Sequence, residues 1–524
     1  MPSVYVKTMG CKVNTFDSHV IQNQFKGLGY DLQEEPLAPD ITVVNTCSVT
    51  AQADREARYL ARRIKRDFPS TLLVFTGCYA QTDSARLASM DEIDLVIPNE
   101  GKESLVQWVT EGFKNRQGRR MGFVPGMGDA KPEREEHSDQ GTGTSSDGDS
   151  QGTLDASHQI SSTKIPPGLK PVAENRQEHF KSSLTLFDRA DSHQTRAFVK
   201  VQDGCNGFCS YCLIPYARGQ SRSVPHGQVM DEIDRLLERG VYEIVLTGIH
   251  IGDYGRDGAE EPPGGQDPIV PLVEDILSRP GLGRLRISSL EPVELTEDLL
   301  AAFVRKKERV CSHFHLPLQS GSDEILKKMR RTYNKDGYRA AVERARRFDP
   351  NVCLGADVIP GFPGETDAQF EETLQFIQDL GLSYLHVFPY SRRPNTSAAK
   401  MPGHLEGALV AERAKRLRTL SRELWLQYCR KFIGSTLEVL WESDQDPSGR
   451  ALGRTANYLR VAAAGAPDQG DPRVHTPRQG ERHQVLIKGF VQEEDKSLSG
   501  ESFQGATLLG RIVSHGPLEG SQVR

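Results

Sequence analysis

The sequence has no apolar run of about 18 residues, the length that a transmembrane helix needs. It also lacks an apolar segment near the first methionine, because "MPSVYVKTMGC" mixes polar and apolar residues, so no secretion signal is expected. The formal net charge is only −6 over 524 residues, so any basic surface that binds nucleic acid must be local. We therefore expect a cytoplasmic monomer that does not contact membranes.

Cysteine is sparse, with nine residues in the chain, which in a cytosolic protein favours metal binding or catalysis over a disulfide framework. Three of them, Cys205, Cys209 and Cys212, lie in "GCNGFCSYC", and no fourth is nearby. Four thiolates would close a tetrahedral metal site, whereas three leave one metal position open, as a catalyst requires. The spacing does not suit structural zinc, which usually pairs CxxC with another CxxC or with histidines.

Residues 1–115 alternate strand and helix patterns, which predicts a parallel α/β sheet. The predicted strands "SVYVKT", "DITVVNT" and "TLLVFTG" run into Cys11, Cys47 and Cys78, respectively. Because ligands bind beyond the carboxyl ends of parallel strands, we expect these three cysteines to meet at one edge of the sheet. The alternative is that each is an ordinary small buried residue near a turn.

Residues 193–430 repeat a strand-then-helix rhythm six times and end in a charged amphipathic connector helix. The strand candidates are "RAFVKVQ", "YEIVLTG", "LRISSL", "SHFHLPL", "VCLGADVI" and "YLHVFPY". Six strands favour a partial (β/α)6 barrel over a full eightfold one. Active sites of such barrels lie at the carboxyl ends of the strands, and the three-cysteine loop directly follows the first strand.

Two further segments differ in composition. Residues 118–192 are rich in Gly, Ser and Asp and have no apolar period, so we predict a disordered insertion or linker, because such a segment cannot bury enough surface to offset its ordering entropy. Residues 435–515 contain short strand patterns such as "TLEVLWE" and "HQVLIKGF", which predict a small all-β module. The predicted fold class is therefore α/β, with an N-terminal parallel α/β domain, a partial barrel and a C-terminal all-β barrel.

The CxxxCxxC spacing, with Tyr211 before the last cysteine, resembles the radical S-adenosylmethionine (SAM) family. The resemblance implies a 4Fe–4S cluster on the three cysteines, with SAM on the fourth iron, where one electron cleaves SAM to methionine and a 5′-deoxyadenosyl radical. It also implies SAM contacts in "LTGIH", "LPLQSGS" and "GADVIPGFPGET", for which ordinary turns are the alternative. The implied SAM contacts are Tyr211, Thr247, Gly248, Gln319, Ser320, Ile359, Gly361 and Glu365.

The order of the three predicted domains resembles the methylthiotransferases. In that family the N-terminal cysteines, here Cys11, Cys47 and Cys78, hold a second 4Fe–4S cluster whose open iron binds the sulfur to be methylated and transferred. The string "GRTANYLRV" resembles a TRAM domain, an OB-like barrel that binds RNA, and this implies RNA contacts by Asn457 and Tyr458.

Two short strings bear on the branch of the family. "GCKVNTFDS" and "MRRTY" look like those of enzymes that act on N6-threonylcarbamoyladenosine at position 37 of tRNA. The branch that modifies isopentenyladenosine usually reads nearer "GCQMN", and the branch that modifies a ribosomal protein reads "GCPKN".

The predicted helix "DREARYLARRIKRDF" carries an apolar face and a row of arginines, Arg55, Arg58, Arg62 and Arg66. Such a row is more often a solvated helix face. The alternative is a phosphate-contacting surface near the first three cysteines, and on this alternative the four arginines are candidate RNA contacts. A single-stranded anticodon loop with splayed bases is what an RNA-reading protein usually grips.

The resulting hypothesis is a tRNA methylthiotransferase with two 4Fe–4S clusters. One SAM methylates a sulfur at the N-terminal cluster, a second is cleaved at the barrel cluster, and the methylthio group is delivered to C2 of the adenine. The six metal-spaced cysteines carry this chemistry, and an electron donor protein is required. The alternatives are methylthiolation of isopentenyladenosine in tRNA or of a ribosomal protein, and a non-catalytic iron–sulfur RNA-binding protein. Cys311, Cys353 and Cys429 are interpreted as buried residues without metal spacing.

Overall fold

The computed structural model describes residues 1–114, 195–257, 267–464, 477–491 and 507–513. Its N-terminal part is a five-stranded parallel sheet in the order β2-β1-β3-β4-β5. The strands are β1 (Ser3–Thr8), β2 (Asp31–Gln33), β3 (Ile41–Thr46), β4 (Leu72–Gly77) and β5 (Leu95–Pro98). Every residue of β3 and β4 is buried, as expected for central parallel strands with both faces covered.

Helices cover both faces of this sheet. They are α1 (Lys12–Gly27), α2 (Ala51–Asp67), α3 (Cys78–Thr82), α4 (Ser84–Ala88) and α5 (Leu105–Lys114). Ile21 and Phe25 of α1 pack with α5 and the strands in one apolar cluster, while Ala57 and Ala61 of α2 pack with Tyr79 in another. The Thr50 side chain accepts a hydrogen bond from the Ala53 amide and so caps α2.

Six parallel strands form the predicted partial barrel. They are β6 (Arg196–Lys200), β9 (Glu243–Thr247), β10 (Arg284–Ile287), β11 (His313–His315), β12 (Cys353–Val358) and β13 (Tyr384–Val387). They make two three-stranded sheets, β10-β9-β6 and β11-β12-β13, which a bridge between Leu285 and Val310 connects. A short ribbon of β7 (Gln202–Asp203) and β8 (Arg222–Ser223) follows the first barrel strand.

The described helices of this part alternate with the strands along the chain. They are α6 (Ile214–Arg218), α7 (His226–Glu238), α8 (Ile269–Ser278), α9 (Glu297–Arg305), α10 (Asp323–Lys328), α11 (Lys335–Phe348), α12 (Asp367–Leu380) and the connector α13 (Gly407–Arg430). Leu285, Phe314 and Leu354 join the apolar core against them. Because strand side chains alternate between faces, Arg286, His313, His315, Asp357 and His386 face the barrel lumen.

The C-terminal strands close into a small barrel in the order β14-β15-β16-β18-β17. They are β14 (Thr436–Gln445), β15 (Ala451–Thr455), β16 (Arg460–Ala463), β17 (Arg482–Phe490) and β18 (Leu508–Ile512). This barrel contacts the amino-terminal ends of the larger barrel's strands, where Arg284 Nη2 donates to the Arg454 carbonyl at 3.1 Å and Arg196 lies 2.6 Å from Glu442. The predicted fold class is confirmed.

The predicted insertion, residues 118–192, lies outside the described residues, as do parts of the predicted module over 435–515. The domain boundaries therefore stay predictions. Among the described helices, none combines the length and the apolar composition that a membrane crossing needs.

Candidate functional site

The three barrel cysteines lie on a loop that its own backbone and a neighbouring segment hold in place. The Cys205 amide donates to the Gly219 carbonyl at 3.1 Å, and the Ser210 amide donates to the Met329 carbonyl at 3.0 Å. Gly204 has φ +74°, and a Cβ there would lie 1.9 Å from the Gln220 carbonyl oxygen. The loop therefore needs glycine directly before its first cysteine.

Each sulfur of this triad accepts a hydrogen bond. Cys205 Sγ accepts from the Gly207 amide at 3.3 Å, Cys209 Sγ from Arg331 Nη1 at 3.2 Å, and Cys212 Sγ from the Ile214 amide at 3.4 Å. Such donors favour a thiolate. Burial nevertheless raises the pKa of the Cys212 thiol to about 12, and the Cys209 and Cys205 thiols nearby add to the rise. A metal group bound by all three would offset this cost with its positive charge.

The three thiols of each triad are not gathered as closely as the ligands of a single zinc ion. Among the described side chains, groups of three or more possible ligand atoms within 4.8 Å of one another are His315–Asp357–His386 and His250–Asp253–Glu294, and neither contains a cysteine. A tetrahedral zinc ion with Zn–S bonds of about 2.3 Å would bring its sulfurs to about 3.8 Å apart. In neither triad, therefore, do all three sulfurs lie within 4.8 Å of one another.

The N-terminal cysteines follow three adjacent strands, at the carboxyl edge of the sheet. Cys11 precedes α1 after β1, Cys47 follows β3, and Cys78 begins α3 after β4. Burial, together with the nearby Cys78 and Cys11 thiols, raises the pKa of Cys47 to about 12. A Cβ on Gly10 would lie 2.7 Å from Cys47 Sγ, so the absence of a side chain there lets the Cys11 loop approach Cys47. The tertiary structure thus brings together three cysteines that are far apart in sequence.

The two triads lie on elements that contact each other. Helix α6, which follows Cys212, packs against α3, which begins at Cys78. Asn99 Nδ2 donates to the Ala217 carbonyl at 2.9 Å and lies 3.9 Å from Cys78 Sγ. Arg218 interacts electrostatically with the Cys78 and Cys11 thiols. The α3–α6 contact therefore joins the two candidate cluster sites.

A buried charge network reinforces that contact. Asp17 on α1 lies 2.9 Å from Lys102, 2.9 Å from Lys200 and 3.2 Å from Arg218, and the Asp17 side chain is 6% exposed. Burial alone would raise the pKa of Asp17, but Lys102, Lys200 and Arg218 hold it well below its ordinary value. Arg218 also lies 3.0 Å from Asp203, next to the cysteine loop. The network therefore links the N-terminal sheet to the barrel beside both triads.

Several residues predicted to contact SAM lie at the strand ends around the barrel mouth. Thr247 is buried at the end of β9, and a Cβ on Gly248 would lie 3.0 Å from Gln202 Oε1. Gln319 has φ +65°, and its carbonyl accepts from the Ile359 amide at 2.9 Å. Ser320 Oγ accepts from the Ser322 amide at 3.2 Å. The structure brings these residues to one rim, and their contact with SAM stays a prediction.

The remaining three predicted SAM contacts lie on or beside the loop after β12. Glu365 Oε2 accepts from the Gly361 amide at 2.7 Å and from Arg413 Nη1 at 2.6 Å, so this carboxylate holds the loop. Tyr211 packs against an apolar cluster that includes Phe362. Contact of Tyr211 and Gly361 with SAM stays a prediction, while the internal bonds of Glu365 indicate a positioning role.

The predicted RNA contacts fall in two places. Arg55, Arg62 and Arg66 are exposed on α2, which begins shortly after Cys47. Arg58 is half-buried and donates to the Tyr79 hydroxyl. Asn457 is buried, and the Tyr458 ring stacks on the His313 ring with centroids 4.2 Å apart, at the base of the large barrel. RNA binding by these residues stays a prediction, and Tyr458 has an internal packing partner.

Two basic side chains beside the barrel thiols were not identified from the sequence. His250 Nδ1 lies 3.7 Å from Cys205 Sγ and 3.0 Å from Asp253. Burial would lower the pKa of His250, but its contacts with Asp253, Cys205 and Glu294 raise it. Arg331, which donates to Cys209, is the second. His250 lies in the string "LTGIH" and Arg331 in "MRRTY", both of which were selected from the sequence. Their presence in these strings was the sequence signal that could have identified them.

Comparison with known proteins identifies the family. The Radical SAM superfamily model matches residues 199–377, and that of the Uncharacterized protein family UPF0004 matches residues 3–98. The threonylcarbamoyladenosine tRNA methylthiotransferase MtaB of Bacillus subtilis is 31% identical over 472 residues, covering 89% of this chain and 92% of that protein. The protein of the same name from Aquifex aeolicus is 31% identical over 467 residues, covering 89% and 98%.

A relative with a different printed substrate matches to a similar extent. The tRNA-2-methylthio-N(6)-dimethylallyladenosine synthase of Syntrophotalea carbinolica is 30% identical over 473 residues, covering 89% of this chain and 95% of that protein. All three relatives align over most of their own length, so the similarity extends well beyond the barrel. The chain therefore belongs to the radical SAM methylthiotransferase family of enzymes, with a clear resemblance to its threonylcarbamoyladenosine branch.

Proposed function

We propose that this enzyme adds a methylthio group to C2 of N6-threonylcarbamoyladenosine at position 37 of tRNA. The observation that carries the proposal is the pair of three-thiol sites on contacting elements, one in the barrel and one at the edge of the N-terminal sheet. Support for the substrate comes from two relatives named for threonylcarbamoyladenosine tRNA, each aligned over 89% of this chain.

Each triad would hold one 4Fe–4S cluster, with Cys205, Cys209 and Cys212 at the first and Cys11, Cys47 and Cys78 at the second. When bound, the clusters and two SAM molecules supply the radical that removes the C2 hydrogen and the methylated sulfur that replaces it. The protein's own residues stabilise the cysteine thiolates that would bind the clusters. Arg331 and the Gly207 and Ile214 amides donate to the barrel sulfurs, and the His250 ring lies beside Cys205.

The α3–α6 contact sets the separation of the two sites. Asn99 on the N-terminal side donates to the Ala217 carbonyl in α6, and Arg218 of the same helix pairs with Asp17 of α1. On the other side of the interface, Arg393 lies 2.7 Å from Asp54 and donates to Ser48 Oγ, one residue after Cys47. Two anchored contacts beside the cysteines keep the sulfur site and the radical site in one fixed geometry, as a transfer between them requires.

The target base must leave the stacked anticodon loop before its C2 can react, because a stacked base does not expose that atom to an enclosed site. The exposed arginines of α2 and the C-terminal barrel are proposed to bind the RNA backbone. An electron donor protein would reduce the barrel cluster.

Mass spectrometry of tRNA nucleosides tests this proposal. Cells that lack the protein should lose the 2-methylthio derivative of threonylcarbamoyladenosine and accumulate the parent nucleoside, and the intact gene should restore it. Loss of the methylthio dimethylallyl nucleoside instead would support the isopentenyladenosine alternative, which the 30% identical Syntrophotalea carbinolica relative keeps open. Unchanged tRNA nucleosides would overturn the proposal.

A second experiment separates the remaining alternatives. Purified iron-loaded protein with a reductant and SAM is assayed with tRNA, with ribosomal protein, or alone. The proposal expects the reduced protein to cleave SAM and expects a methylthiolated product only in the assay with tRNA. A methylthiolated ribosomal protein would support that alternative, and RNA binding without any SAM cleavage would indicate a non-catalytic protein.

A further inference from the structure

Three segments that meet at the barrel cysteine loop carry basic residues and no acidic ones. The segments are 205–222, which contains the three barrel cysteines, 325–335 and 390–404, and none of them contains aspartate or glutamate. Five basic side chains of the last two segments are exposed, and we call them the rim cations: Lys327, Lys328, Arg330, Arg392 and Lys400. None of the five forms an ion pair with a residue in the described ranges.

Ser210, inside the cysteine motif, joins these segments by hydrogen bonds. Its amide donates to the Met329 carbonyl at 3.0 Å, and its hydroxyl donates to the Lys328 carbonyl at 2.8 Å. Its own carbonyl accepts from the Ala398 amide at 2.7 Å, and Lys400 follows Ala398 by two residues. The rim cations therefore lie on backbone segments that bond directly to the loop of the barrel cysteines.

The turn after α10 places two neighbouring arginines in different surroundings. Arg330 has φ +60°, and its amide donates to the Lys327 carbonyl at 3.0 Å. The Arg331 amide donates to the Leu326 carbonyl at 3.0 Å, which completes a helix ending that usually has glycine at the left-handed position. Arg331 turns inward to Cys209 Sγ, whereas Arg330 is exposed. An exposed cation thus occupies a backbone position that favours glycine, next to the arginine that donates to a barrel sulfur.

The segment 390–404 also contacts the start of α2, the helix with the exposed arginine row. The Ala51 amide donates to Ser391 Oγ at 2.9 Å, and Arg393 lies 2.7 Å from Asp54. The elements that carry the rim cations therefore adjoin the proposed RNA-contacting helix on one side and the barrel cysteine loop on the other. Basic side chains accordingly lie on contacting elements beside both cysteine triads.

An RNA backbone is the partner whose chemistry fits this surface. Lysines and arginines without neighbouring carboxylates bind phosphates and release the counterions that the RNA holds. A small acidic electron carrier would be attracted by the same charge. The contact with α2 favours RNA, because an electron carrier would need only the part of the surface next to the barrel cysteine loop.

We propose that the rim cations bind phosphates of the tRNA anticodon loop next to the target nucleotide and hold that loop at the barrel mouth. This inference rests on the proposed function, in which tRNA is the substrate. Because hydrogen bonds at Ser210 tie the segments of the rim cations to the cysteine loop, the phosphates that they reach lie close to the reacting nucleotide. The rim cations contribute to RNA affinity and not to the chemistry at the clusters.

A rim variant that combines Lys327→Gln, Arg330→Gln and Lys400→Gln tests the inference. The other two rim cations are left unchanged because their side chains donate to backbone carbonyls. For an anticodon stem-loop RNA, the slope of log affinity against log salt should fall by about 2, since each phosphate contact with a single strand contributes about 0.7. Each single substitution should lower the slope by about 0.7. A rim variant with the wild-type slope would overturn the inference.

A control variant changes Arg305, Lys306 and Lys307 to Gln, at exposed positions at the far end of α9, and should keep the wild-type slope. Iron content and SAM cleavage without RNA should equal those of the wild type in both variants. In the rim variant, the KM for the stem-loop should rise while kcat at saturating RNA stays unchanged. Weaker binding of whole tRNA but not of the isolated stem-loop would place the contact away from the target nucleotide and overturn the inference.

A reduction assay tests the competing partner. SAM cleavage is driven either by dithionite or by a reduced acidic 2Fe–2S ferredoxin, which passes one electron per molecule to the barrel cluster, and the rim variant should equal the wild type with both. Slower cleavage with the ferredoxin alone, together with an unchanged RNA salt slope, would assign the surface to an electron carrier and overturn the inference. Methylthiolation of the stem-loop by the wild type is measured separately. Its absence, with a salt slope that still depends on the rim cations, would overturn the proposed function but support this RNA-binding surface.

Discussion

The Cys209 sulfur accepts a hydrogen bond from Arg331, whereas Cys353 and Cys429, outside the triads, lie in an apolar cluster with Trp425 and Tyr428. Burial raises the pKa of Cys353 to about 12, and no cationic side chain donates to its sulfur within the described ranges. These thiols stay protonated and act as small apolar residues. At the scale of single residues, a cationic donor therefore distinguishes Cys209 from Cys353.

The first prediction concerns the barrel triad. Changing Cys205, Cys209 and Cys212 together to Ala should remove about four irons per chain and abolish SAM cleavage, because the open iron that binds SAM is lost. Iron analysis and chromatography of 5′-deoxyadenosine measure the two effects. Cys429→Ala, at a cysteine outside both triads, should keep the iron. Continued formation of 5′-deoxyadenosine by the triple variant would show that the assignment is wrong.

The second prediction separates the two sites. Replacing Cys11, Cys47 and Cys78 together by Ala should also remove about four irons but leave reductive SAM cleavage in place, because the barrel thiols and their donors are untouched. No methylthiolated nucleoside should form. Parallel assays of 5′-deoxyadenosine and of tRNA nucleosides distinguish the two activities. Methylthiolation by this variant would exclude the N-terminal triad from the reaction.

Among the structural elements, the short helices α3 and α6 have the largest consequence for function. Each has five residues, too few to be stable alone, and each begins at or just after a proposed ligand cysteine. Their mutual packing and the Asp17 network hold them in place. The positions of the two cysteine triads therefore depend on the interface between domains rather than on local helix propensity.

The third prediction concerns this interface. Asp17→Asn should destabilise the protein by about 3–5 kcal/mol, because Lys102, Lys200 and Arg218 would lose a shared buried carboxylate. The melting temperature should fall, and methylthio transfer should fall more than SAM cleavage. Asp31→Asn, at an exposed aspartate of β2, is the matched control. A variant as stable as the wild type would mean that the network does not hold the interface.

The pH dependence of the same network has a definite sign. Since the pKa of Asp17 in the folded protein is held well below its ordinary value of 3.8, its contribution to stability is complete above that value and is lost as the pH falls. The melting temperature of the wild type should therefore fall more steeply below about pH 4 than that of Asp17→Asn. Parallel curves for the two proteins would contradict this assignment.

At the scale of the whole molecule, the C-terminal barrel closes the base of the large barrel. Tyr458 stacks on His313, Arg284 donates to the Arg454 carbonyl, and Trp441 is fully buried. Removing this module would expose buried arginines and an apolar cluster that includes Trp425. A truncation at Gly434 would therefore destabilise the large barrel and also remove the proposed RNA-binding surface. Surface substitutions therefore test RNA binding more cleanly than a truncation.

The fourth prediction concerns the exposed arginines of α2. Replacing Arg55, Arg62 and Arg66 together by Gln should weaken tRNA binding and reduce the slope of log affinity against log salt by up to about 2–3, because each lost phosphate contact contributes about 0.7–0.9. Filter binding across a salt series measures the slope. Arg305, Lys306 and Lys307, exposed at the far end of α9, are changed to Gln as the control. Equal slopes for both variants would show that α2 does not contact the phosphates.

The sequence alone determined the order of the α/β domain, the partial barrel and the all-β module, because strand patterns and cysteine spacing are local properties of the chain. It missed the short β2 and β5, and it missed β15, since three to five residues carry too little periodicity. The CxxxCxxC loop could be identified because all three thiols lie within eight residues of one another. Cys11, Cys47 and Cys78 were predicted to lie together because each follows a predicted strand, and the carboxyl ends of parallel strands share one edge of a sheet.

The groups that surround those thiols come from distant parts of the chain and are brought together by long-range packing. Arg331 is 122 residues from Cys209 in sequence, and Arg218 is 201 residues from Asp17, so no local pattern could pair them. Likewise, the bonds of Glu365 to Gly361 and Arg413 and the stacking of Tyr458 on His313 depend on how separate elements pack. Local sequence determines which residues can be ligands, while long-range packing determines their charge, their burial and their neighbours.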